Sequence, residues 1–310
     1  MTTEPALGPT QASAAAARRR GMVFMTVTTL GWGLNWPLMK MLLHHWPPLS
    51  ARGWAGLVGA LALASIARLR GESLAVPRRA IGPLMLAALF NVTAWMGIGT
   101  LAMASLSVAE AAMLAYTMPI WVMLLSWPML GERPSRQGML ATAMGFAGVF
   151  ILLGSPQFTA ETGKIPGVIF ALTAAILFAF GAVRASRPLG LPPIAAVAWQ
   201  VGLGCIPMVL YGLVIEQPSI HALTAADWLS MAYMALVPMA LCYLTWFMAL
   251  QTLPPSTASM ASLATPVIGV IAAALIFGSP VGAREIVSMA LILAGVVLAL
   301  RRAPAAARDT

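Results

Sequence analysis

The chain has 310 residues, of which 60% are apolar and only 9% are charged. A soluble domain carries about 25% charged residues, so this composition excludes an ordinary soluble protein and leaves no room for a separate soluble domain. The net charge of +9 does not indicate a nucleic-acid-binding protein, because the basic residues form small clusters between apolar runs rather than one basic face or arm.

The first apolar run begins at Met22, directly after Arg18, Arg19 and Arg20. It is too long for the apolar core of a secretory signal, and no small-residue cleavage site follows it promptly. We therefore expect a first helix that is retained. Residues 1–20 are expected to form a disordered cytoplasmic tail and residues 303–310 a second cytoplasmic tail, because both ends are rich in Ala, Pro and Thr.

Pro, Gly and charge clusters divide the remaining sequence into ten apolar segments, each about long enough to cross a bilayer. The predicted fold is an all-α integral membrane protein of ten transmembrane helices. The predicted spans are 21–43, 50–67, 81–102, 108–129, 137–154, 166–185, 193–215, 227–250, 256–277 and 284–300.

The Lys and Arg residues predict the orientation of these spans, since basic residues are retained on the cytoplasmic side of short loops. With both termini inside, 14 of the 18 Lys and Arg residues are cytoplasmic, and the other four are Lys40, Arg52, Lys164 and Arg284. The cytoplasmic set consists of Arg18, Arg19, Arg20, Arg68, Arg70, Arg78, Arg79, Arg133, Arg136, Arg184, Arg187, Arg301, Arg302 and Arg308. This bias favours an even number of helices.

Comparison of the sequence with itself indicates a duplication. Residues 107–152 align with residues 254–299 at an offset of 147, which pairs Pro119 with Pro266 and Gly131 with Gly278, and residues 47–54 align with 192–199 at an offset of 145. Five helices per half place the two halves in opposite orientations. We expect a first five-helix repeat over 21–155 and a second, inverted repeat over 164–302.

Local motifs along nearly the whole chain resemble the drug/metabolite transporter superfamily, in its ten-helix EamA-type branch. They are Gly31 to Pro37 in the first helix, Arg52, Thr117-Met118-Pro119, Leu130-Gly131-Glu132-Arg133, Thr265-Pro266 and Leu293 to Leu298. In the second half Gly278-Ser279-Pro280 replaces the Gly-Glu-Arg of residues 131–133, so a role for that second acid is absent or has moved to Glu285. The resemblance implies a transporter of amino acids, other metabolites, drugs or nucleotide sugars.

Polar side chains near the middle of a span are candidates for function, since each is costly in hydrocarbon. Asn35, Asn91 and Gln200 are placed in this way, and an amide can bind both the carboxylate and the ammonium group of an amino acid. The alternative is that they bond neighbouring helices. Deep aromatic residues are a second set of candidates, because flat apolar faces with polar edges suit an amphipathic solute.

The predicted substrate pathway contains nine residues: Trp32, Asn35, Trp36, Asn91, Trp95, Tyr116, Gln200, Tyr243 and Trp246. Trp121 and Trp199 also lie within spans, and half of the deep aromatic residues are expected to face lipid. Interfacial belts explain Trp46, Trp54 and Trp228 better. Trp32, Asn35 and Trp36 share one helix face, which makes that face the best single candidate.

Lys40 and Glu110 lie at the edges of spans and are a conceivable ion pair, although both could equally reach the interface. Glu110 is the one acid that could take part in proton coupling. Pro119 and Pro266 are expected to be hinges or static kinks, since proline interrupts a helix. Pro37, Pro128, Pro207 and Pro238 also lie inside spans.

Signatures of enzymes are missing from the sequence. His44, His45 and His221 lie in predicted outer loops without a spacing to acids or cysteines that would form a metal site or a triad, and no ATP-binding loop occurs. Cys205 and Cys242 lie inside apolar stretches. We expect no metal and no cofactor, with a small-molecule substrate and the lipid bilayer as partners, no nucleic acid, and a monomer as one admissible state.

The expected function is that of a secondary transporter or facilitator that exports small metabolites, amino acids above all and aromatic ones among them, across a bacterial inner membrane by alternating access. A multidrug exporter of cationic compounds is the alternative within transport. A polytopic membrane enzyme is the alternative from another class, and it would need a polar catalytic cluster at one membrane face.

Overall fold

The computed structural model describes residues 9–154, 162–184, 189–253, 255–278 and 281–300, and this part of the chain is helical and contains no strand. Arg187, Ser279, Pro280 and the basic residues beyond 300 lie outside the described residues, as do 1–8 and 303–310 of the two expected tails. The helices are α1 (Pro9–Leu42), α2 (Pro48–Leu69), α3 (Arg78–Ser105), α4 (Val108–Leu130), α5 (Arg136–Leu153), α6 (Ile165–Arg184), α7 (Pro193–Glu216), α8 (Ala225–Leu250), α9 (Pro255–Ser262 and Ala264–Phe277) and α10 (Ala283–Leu300).

Seven helices of the described chain, α2 to α8, are long and apolar enough to cross a membrane by length and composition. Each of the ten predicted spans coincides with one helix, but α1 begins at Pro9, before the expected boundary at residue 21. A run of Ala from position 14 to 17 precedes Arg18, and Ala has the highest helix propensity of all residues. The expectation of a disordered tail is therefore wrong for residues 9–20, which continue the helix.

Close helix contacts at glycines repeat at the offset found in the sequence. A Cβ added to Gly59 of α2 would lie 2.8 Å from the carbonyl oxygen of Ala235 in α8. One added to Gly204 of α7 would lie 2.7 Å from that of Ala88 in α3. Gly204 follows Gly59 by 145 residues and Ala235 follows Ala88 by 147, so the two contacts are equivalent under exchange of the halves.

Two further glycine pairs show the same exchange. Gly148 of α5 approaches the carbonyl oxygen of Ser288 in α10, and Gly295 of α10 approaches that of Ala141 in α5, at 2.8 and 2.7 Å from the added Cβ. A Cβ added to Gly21 would meet Thr252 and Leu253, and one added to Gly167 would meet Ser105 and Leu106. Absent side chains permit these approaches, as is common between membrane helices.

The packing of whole helices follows this pattern. α2 packs along α7 and α5 along α10, so each of these pairs joins equivalent helices of the two halves. α1 packs on α8 and α9 of the second half, and α6 packs on α3 and α4 of the first. The chain thus forms two three-helix groups, α1 with α8 and α9, and α6 with α3 and α4, and each group contains helices of both halves.

Carboxylates tie both ends of the α2–α7 pair. Glu216, at the end of α7, accepts the backbone N–H groups of Leu49 and Ser50 at 3.0 and 2.7 Å and the Ser50 hydroxyl at 2.6 Å. Glu72, just after α2, accepts the backbone N–H of Ala195 at 3.0 Å. Each acid satisfies unpaired N–H groups in the first turn of the other helix, and the two helices are therefore antiparallel.

Four of the helices are irregular at equivalent positions. α4 is interrupted at Tyr116–Thr117, just before Pro119, and α9 is interrupted at Leu263, just before Pro266. α3 contains a π-helical stretch over Leu89–Ile98, and α8 contains one over Val237–Leu241. Such stretches occur often at functional sites. Both predicted hinge prolines thus lie in the first turn after a break, where a missing N–H costs little.

Candidate functional site

A cavity of about 410 Å³ lies in the space between the three-helix groups. Its lining residues come from α1, α2, α3, α4, α6, α7, α8 and α9, and none of them belongs to α5 or α10. The cavity therefore contacts both halves of the chain. A larger hollow of about 600 Å³ follows one face of α1 near Arg19 and Phe24; its lining comes from a single helix, so it encloses nothing.

All nine residues of the predicted substrate pathway line this cavity. The regular spacing of Trp32, Asn35 and Trp36 brings them to one face of α1, which is the face toward the cavity. Of the eight aromatic residues predicted to lie deep in spans, Trp121 and Trp199 are the two that do not line it. Trp199 is partly exposed and donates its indole N–H to the carbonyl of Leu74.

Trp32 is the centre of an aromatic cluster on the α1–α8 side. Its ring lies 5.6 Å from that of Tyr243, edge to face, and 5.7 Å from that of Trp246. Its indole N–H donates to the carbonyl of Pro238 at 3.1 Å, within the π-helical stretch of α8. The hydrogen-bond pattern of the helix is irregular at Pro238, and the Trp32 indole is fixed there by both ring packing and a hydrogen bond.

A second aromatic pair lies on the opposite side of the cavity. The rings of Trp95 and Phe178 are 4.9 Å apart. Phe178 was not predicted as a pathway residue, although it follows Trp32 by 146 residues and so occupies the equivalent position in the second half. The internal repeat was the signal that could have found it. Trp36 and Tyr116 form a looser contact at 6.5 Å.

Two of the three amide residues, Asn91 and Gln200, both line the cavity and bond a neighbouring helix. Asn91 of α3 donates its side-chain N–H to the side-chain oxygen of Gln200 in α7 at 3.2 Å, which joins the two halves, and both residues line the cavity. Asn35 has no such partner: its Oδ1 is buried and lacks a hydrogen bond in the described part of the chain, as does Oγ1 of Thr265. A buried acceptor without a donor is costly.

Arg52 is a charged residue that lines the cavity but was not among the nine predicted pathway residues. Its side chain is 6% exposed and lines the cavity, and its Nε–H donates to Oγ1 of Thr100 at 3.1 Å. The Thr100 hydroxyl itself donates to the carbonyl of Met96 at 2.6 Å, which leaves the oxygen free to accept. The predicted topology places Arg52 toward the outer side, and the structure packs its side chain against α3, toward the cavity.

Lys40 and Glu110 do not pair with each other, and each bonds another partner. Lys40 donates to the carbonyls of Met103 and Leu106 at 2.6 and 3.0 Å, at the end of α3, where a cation stabilises the helix terminus. Glu110 is 3.1 Å from Nζ of Lys164 and completes a capping box with Ser107 at the start of α4. The conceivable Lys40–Glu110 pair is replaced by these contacts.

Two loop residues also differ from expectation. Nδ1 of His45 lies 3.0 Å from Oδ2 of Asp227, a contact that the sequence spacing did not indicate. Trp46 is 6% exposed and donates to the carbonyl of Ser219, so it is packed rather than interfacial, whereas Trp54 and Trp228 are exposed as expected. Among the described residues no group of three or more His, Cys, Asp or Glu is arranged to hold a metal, and Cys205 and Cys242 are buried free thiols.

Comparison with known proteins gives several relatives over most of the chain. The chain is 26% identical over 261 residues to the uncharacterized transporter YoaV of Bacillus subtilis, covering 83% of this chain and 87% of that protein. It is 25% identical over 299 residues to a probable amino-acid metabolite efflux pump of Salmonella typhimurium, covering 91% and 95%. It is 24% identical over 194 residues to the aromatic amino acid exporter YddG of Ancylobacter novellus, covering 62% and 66%.

A solved crystal structure shares the fold with a TM-score of 0.64, at 20% identity, over 92% of this chain and 96% of the other. The model of the EamA-like transporter family matches twice, over residues 19–154 and again over 165–301. The two matches meet between α5 and α6, where the sequence comparison divides the repeats. The chain therefore belongs to the EamA-like transporter family, within the drug/metabolite transporter superfamily.

Proposed function

We propose that the chain is a secondary transporter or facilitator that exports small metabolites, amino acids with aromatic or large apolar side chains above all. The observation that carries this proposal is the cavity between the two halves, which combines aromatic faces with amides and one buried cation. Its volume of about 410 Å³ falls in the range typical of small-molecule sites. Two relatives whose names specify amino-acid export are similar over the same chain.

The proposed architecture has ten transmembrane helices in two inverted five-helix repeats. The paired glycine contacts of α2 with α8 and of α7 with α3, together with the double match of the family model, support this arrangement. In transporters of this kind the substrate site lies near the bilayer midplane between the repeats. The nine pathway residues and Arg52 are then the groups that contact substrate.

Alternating access requires elements that change shape on the two sides of the site in turn. The breaks of α4 and α9 lie beside the cavity, since Tyr116 and Thr265 belong to its lining. Interrupted helices that border a binding site are a common device of secondary transporters. We assign the hinges to these two breaks, with Pro119 and Pro266 fixing the first turn beyond each.

The proposed location is the bacterial inner membrane with both termini in the cytoplasm. The distribution of Lys and Arg favours this orientation. Another relative, YedA of Escherichia coli, is named as an inner membrane transporter at 26% identity over 284 residues.

The test is flux of amino acids into liposomes that contain the purified protein. We expect saturable uptake of Phe and Trp. Gly99→Leu should abolish it, because a side chain at Gly99 enters the cavity and the nearest atom to its added Cβ is 4.0 Å away. Gly82→Leu is the matched control on the same helix, where no atom lies within 4 Å. Absence of flux for every small solute tried would overturn the proposal.

An exporter of organic cations is the second candidate, because aromatic faces such as those of Trp32 and Trp246 can bind cations. Arg52 opposes it, since the cavity already holds a buried positive charge. Competition of Phe uptake by tetraphenylphosphonium separates the two. We expect weak competition, and strong competition would favour the cation exporter.

A further inference from the structure

Arg52 carries a charge into the cavity without bringing its own counter-ion. The guanidinium group offers five N–H donors, and the structure uses one of them, the Nε–H bonded to Thr100. Its two terminal nitrogens have no hydrogen-bond partner in the described part of the chain. They are therefore available to whatever occupies the cavity.

The lining of the cavity contains no Asp and no Glu among the described residues. A buried cation without a partner is strongly unfavourable, and a planar guanidinium pairs best with a carboxylate through two parallel hydrogen bonds. The other polar groups around the cavity are neutral: amides, hydroxyls and the indole N–H groups. The charge of Arg52 is thus compensated only when an anionic group enters.

The groups in the cavity that could accept a hydrogen bond from an ammonium are neutral, so they bind it more weakly than Arg52 binds a carboxylate. The unpaired acceptors are Oδ1 of Asn35 and Oγ1 of Thr265, and both are neutral. A hydrogen bond between a cation and a neutral acceptor is stabilising, but it lacks the charge–charge attraction available to a carboxylate beside Arg52. Losing the ammonium leaves neutral groups unpaired, whereas losing the carboxylate leaves a charge unpaired.

We propose that the cavity selects its ligand by the carboxylate, with Arg52 as the binding group, and does not require the ammonium. The substrate class is then aromatic or large apolar monocarboxylates, which includes amino acids and their deaminated analogues. Amines that lack the carboxylate are excluded. This inference rests on the proposed function in one respect: it takes the cavity to be the transport site.

The test compares three ligands of one shape: phenylalanine, 3-phenylpropionate, which lacks the ammonium, and phenethylamine, which lacks the carboxylate. Calorimetry on the purified protein and flux in liposomes give their affinities and rates. We expect 3-phenylpropionate to bind within about tenfold of phenylalanine. Phenethylamine should bind at least about 30-fold more weakly, because it leaves Arg52 unpaired and adds a second positive charge.

Variants of Arg52 test whether this residue is the source of the selectivity for carboxylates. Arg52→Gln should lower the affinity for both carboxylates by at least about 30-fold and raise that for phenethylamine relative to them. Arg52→Lys keeps the charge but loses the paired geometry and should fall between. Because the replaced cation has no counter-ion in the empty protein, the melting temperature of Arg52→Gln should not fall below that of the unaltered chain.

The outcomes separate the two proposals. Flux of none of the ligands by the unaltered chain overturns the proposed function itself. Flux of phenylalanine and phenethylamine at similar affinity, or unchanged selectivity in Arg52→Gln, leaves a transporter but overturns selection by the carboxylate. Replacing chloride by gluconate is the last control: loss of binding of all three ligands in gluconate would mean that an inorganic anion, not the substrate, neutralises Arg52.

Discussion

Trp32 holds its position through three contacts that involve α8, so its substitution tests the aromatic side of the cavity. Trp32→Ala should lower the rate of Phe uptake at least tenfold, since it removes the ring that packs on Tyr243 and Trp246. Trp32→Phe keeps a ring but loses the hydrogen bond to Pro238 and should lie between. Initial uptake rates in liposomes give the comparison.

Trp121→Ala is the matched control for this prediction. Trp121 does not line the cavity and donates its indole N–H to Thr117 within its own helix. Its loss should leave the uptake rate within about twofold. Equal effects of the two Ala variants would mean that the aromatic residues contribute to folding rather than to the pathway.

Glu110 forms a capping box with Ser107 and an ion pair with Lys164. These contacts favour a structural role over proton coupling. We expect Glu110→Gln to destabilise the protein by about 1 kcal/mol and to leave the pH profile of Phe uptake unchanged in shape. The two measurements are thermal unfolding and uptake across a pH series. A profile that becomes flat in the variant would restore Glu110 as the coupling acid.

Individual site residues could be predicted from the sequence where the residue type is unusual for a membrane span. Asn35, Asn91 and the tryptophans were recognisable because amides and large aromatic rings are costly or conspicuous in hydrocarbon. Arg52 was not, because an arginine near a helix end can reach the interface. Its burial depends on Thr100, a residue of another helix, and no pattern within α2 records that neighbour.

Glycines allow individual helices to pack closely against the backbone of a neighbour. In α7, two glycines with different surroundings test this packing. Gly204→Ala places a Cβ 2.7 Å from a carbonyl of α3, which should destabilise the protein by about 1–3 kcal/mol. Gly202→Ala has only Ala60 at 3.5 Å and should be neutral or slightly stabilising. Gly59→Ala should behave as Gly204→Ala does, since it is the repeat equivalent.

Thermal unfolding in detergent measures all three glycine variants. Similar melting temperatures for Gly202→Ala and Gly204→Ala would contradict the close packing of α7 on α3. A difference between Gly59→Ala and Gly204→Ala would contradict the equivalence of the two contacts.

At the scale of elements the ten apolar segments were predictable from composition, but their irregularities were not. The breaks at Tyr116 and Leu263 precede Pro119 and Pro266, which the sequence did identify. The π-helical stretch over Leu89–Ile98 contains no proline, so no local signal marks it. The start of α1 was missed because an Ala-rich stretch can be a disordered tail or a good helix, and composition does not distinguish them.

The orientation of the whole molecule can be tested with two serines in loops of opposite predicted sides. Ser73, between α2 and α3, is expected in the cytoplasm, and Ser219, between α7 and α8, outside. In intact spheroplasts a membrane-impermeant maleimide should label Ser219→Cys but not Ser73→Cys. The native thiols Cys205 and Cys242 are buried and should contribute little background.

Permeabilised cells supply the control, because Ser73→Cys should then react as well. The reverse labelling pattern would invert the molecule, and equal labelling before permeabilisation would contradict an odd number of crossings between the two serines. Either result would change which side of the membrane each helix break faces.

The carboxylates at the ends of α2 and α7 have a consequence for how such a molecule can arise. The N–H groups at the start of α2 find their acceptor in Glu216 of the second half, and that of Ala195 finds its acceptor in Glu72 of the first. In the described structure neither half supplies the acceptor for its own helix end. A half of this length made alone would need another acceptor at that helix end, which water or a second copy in the opposite orientation could supply.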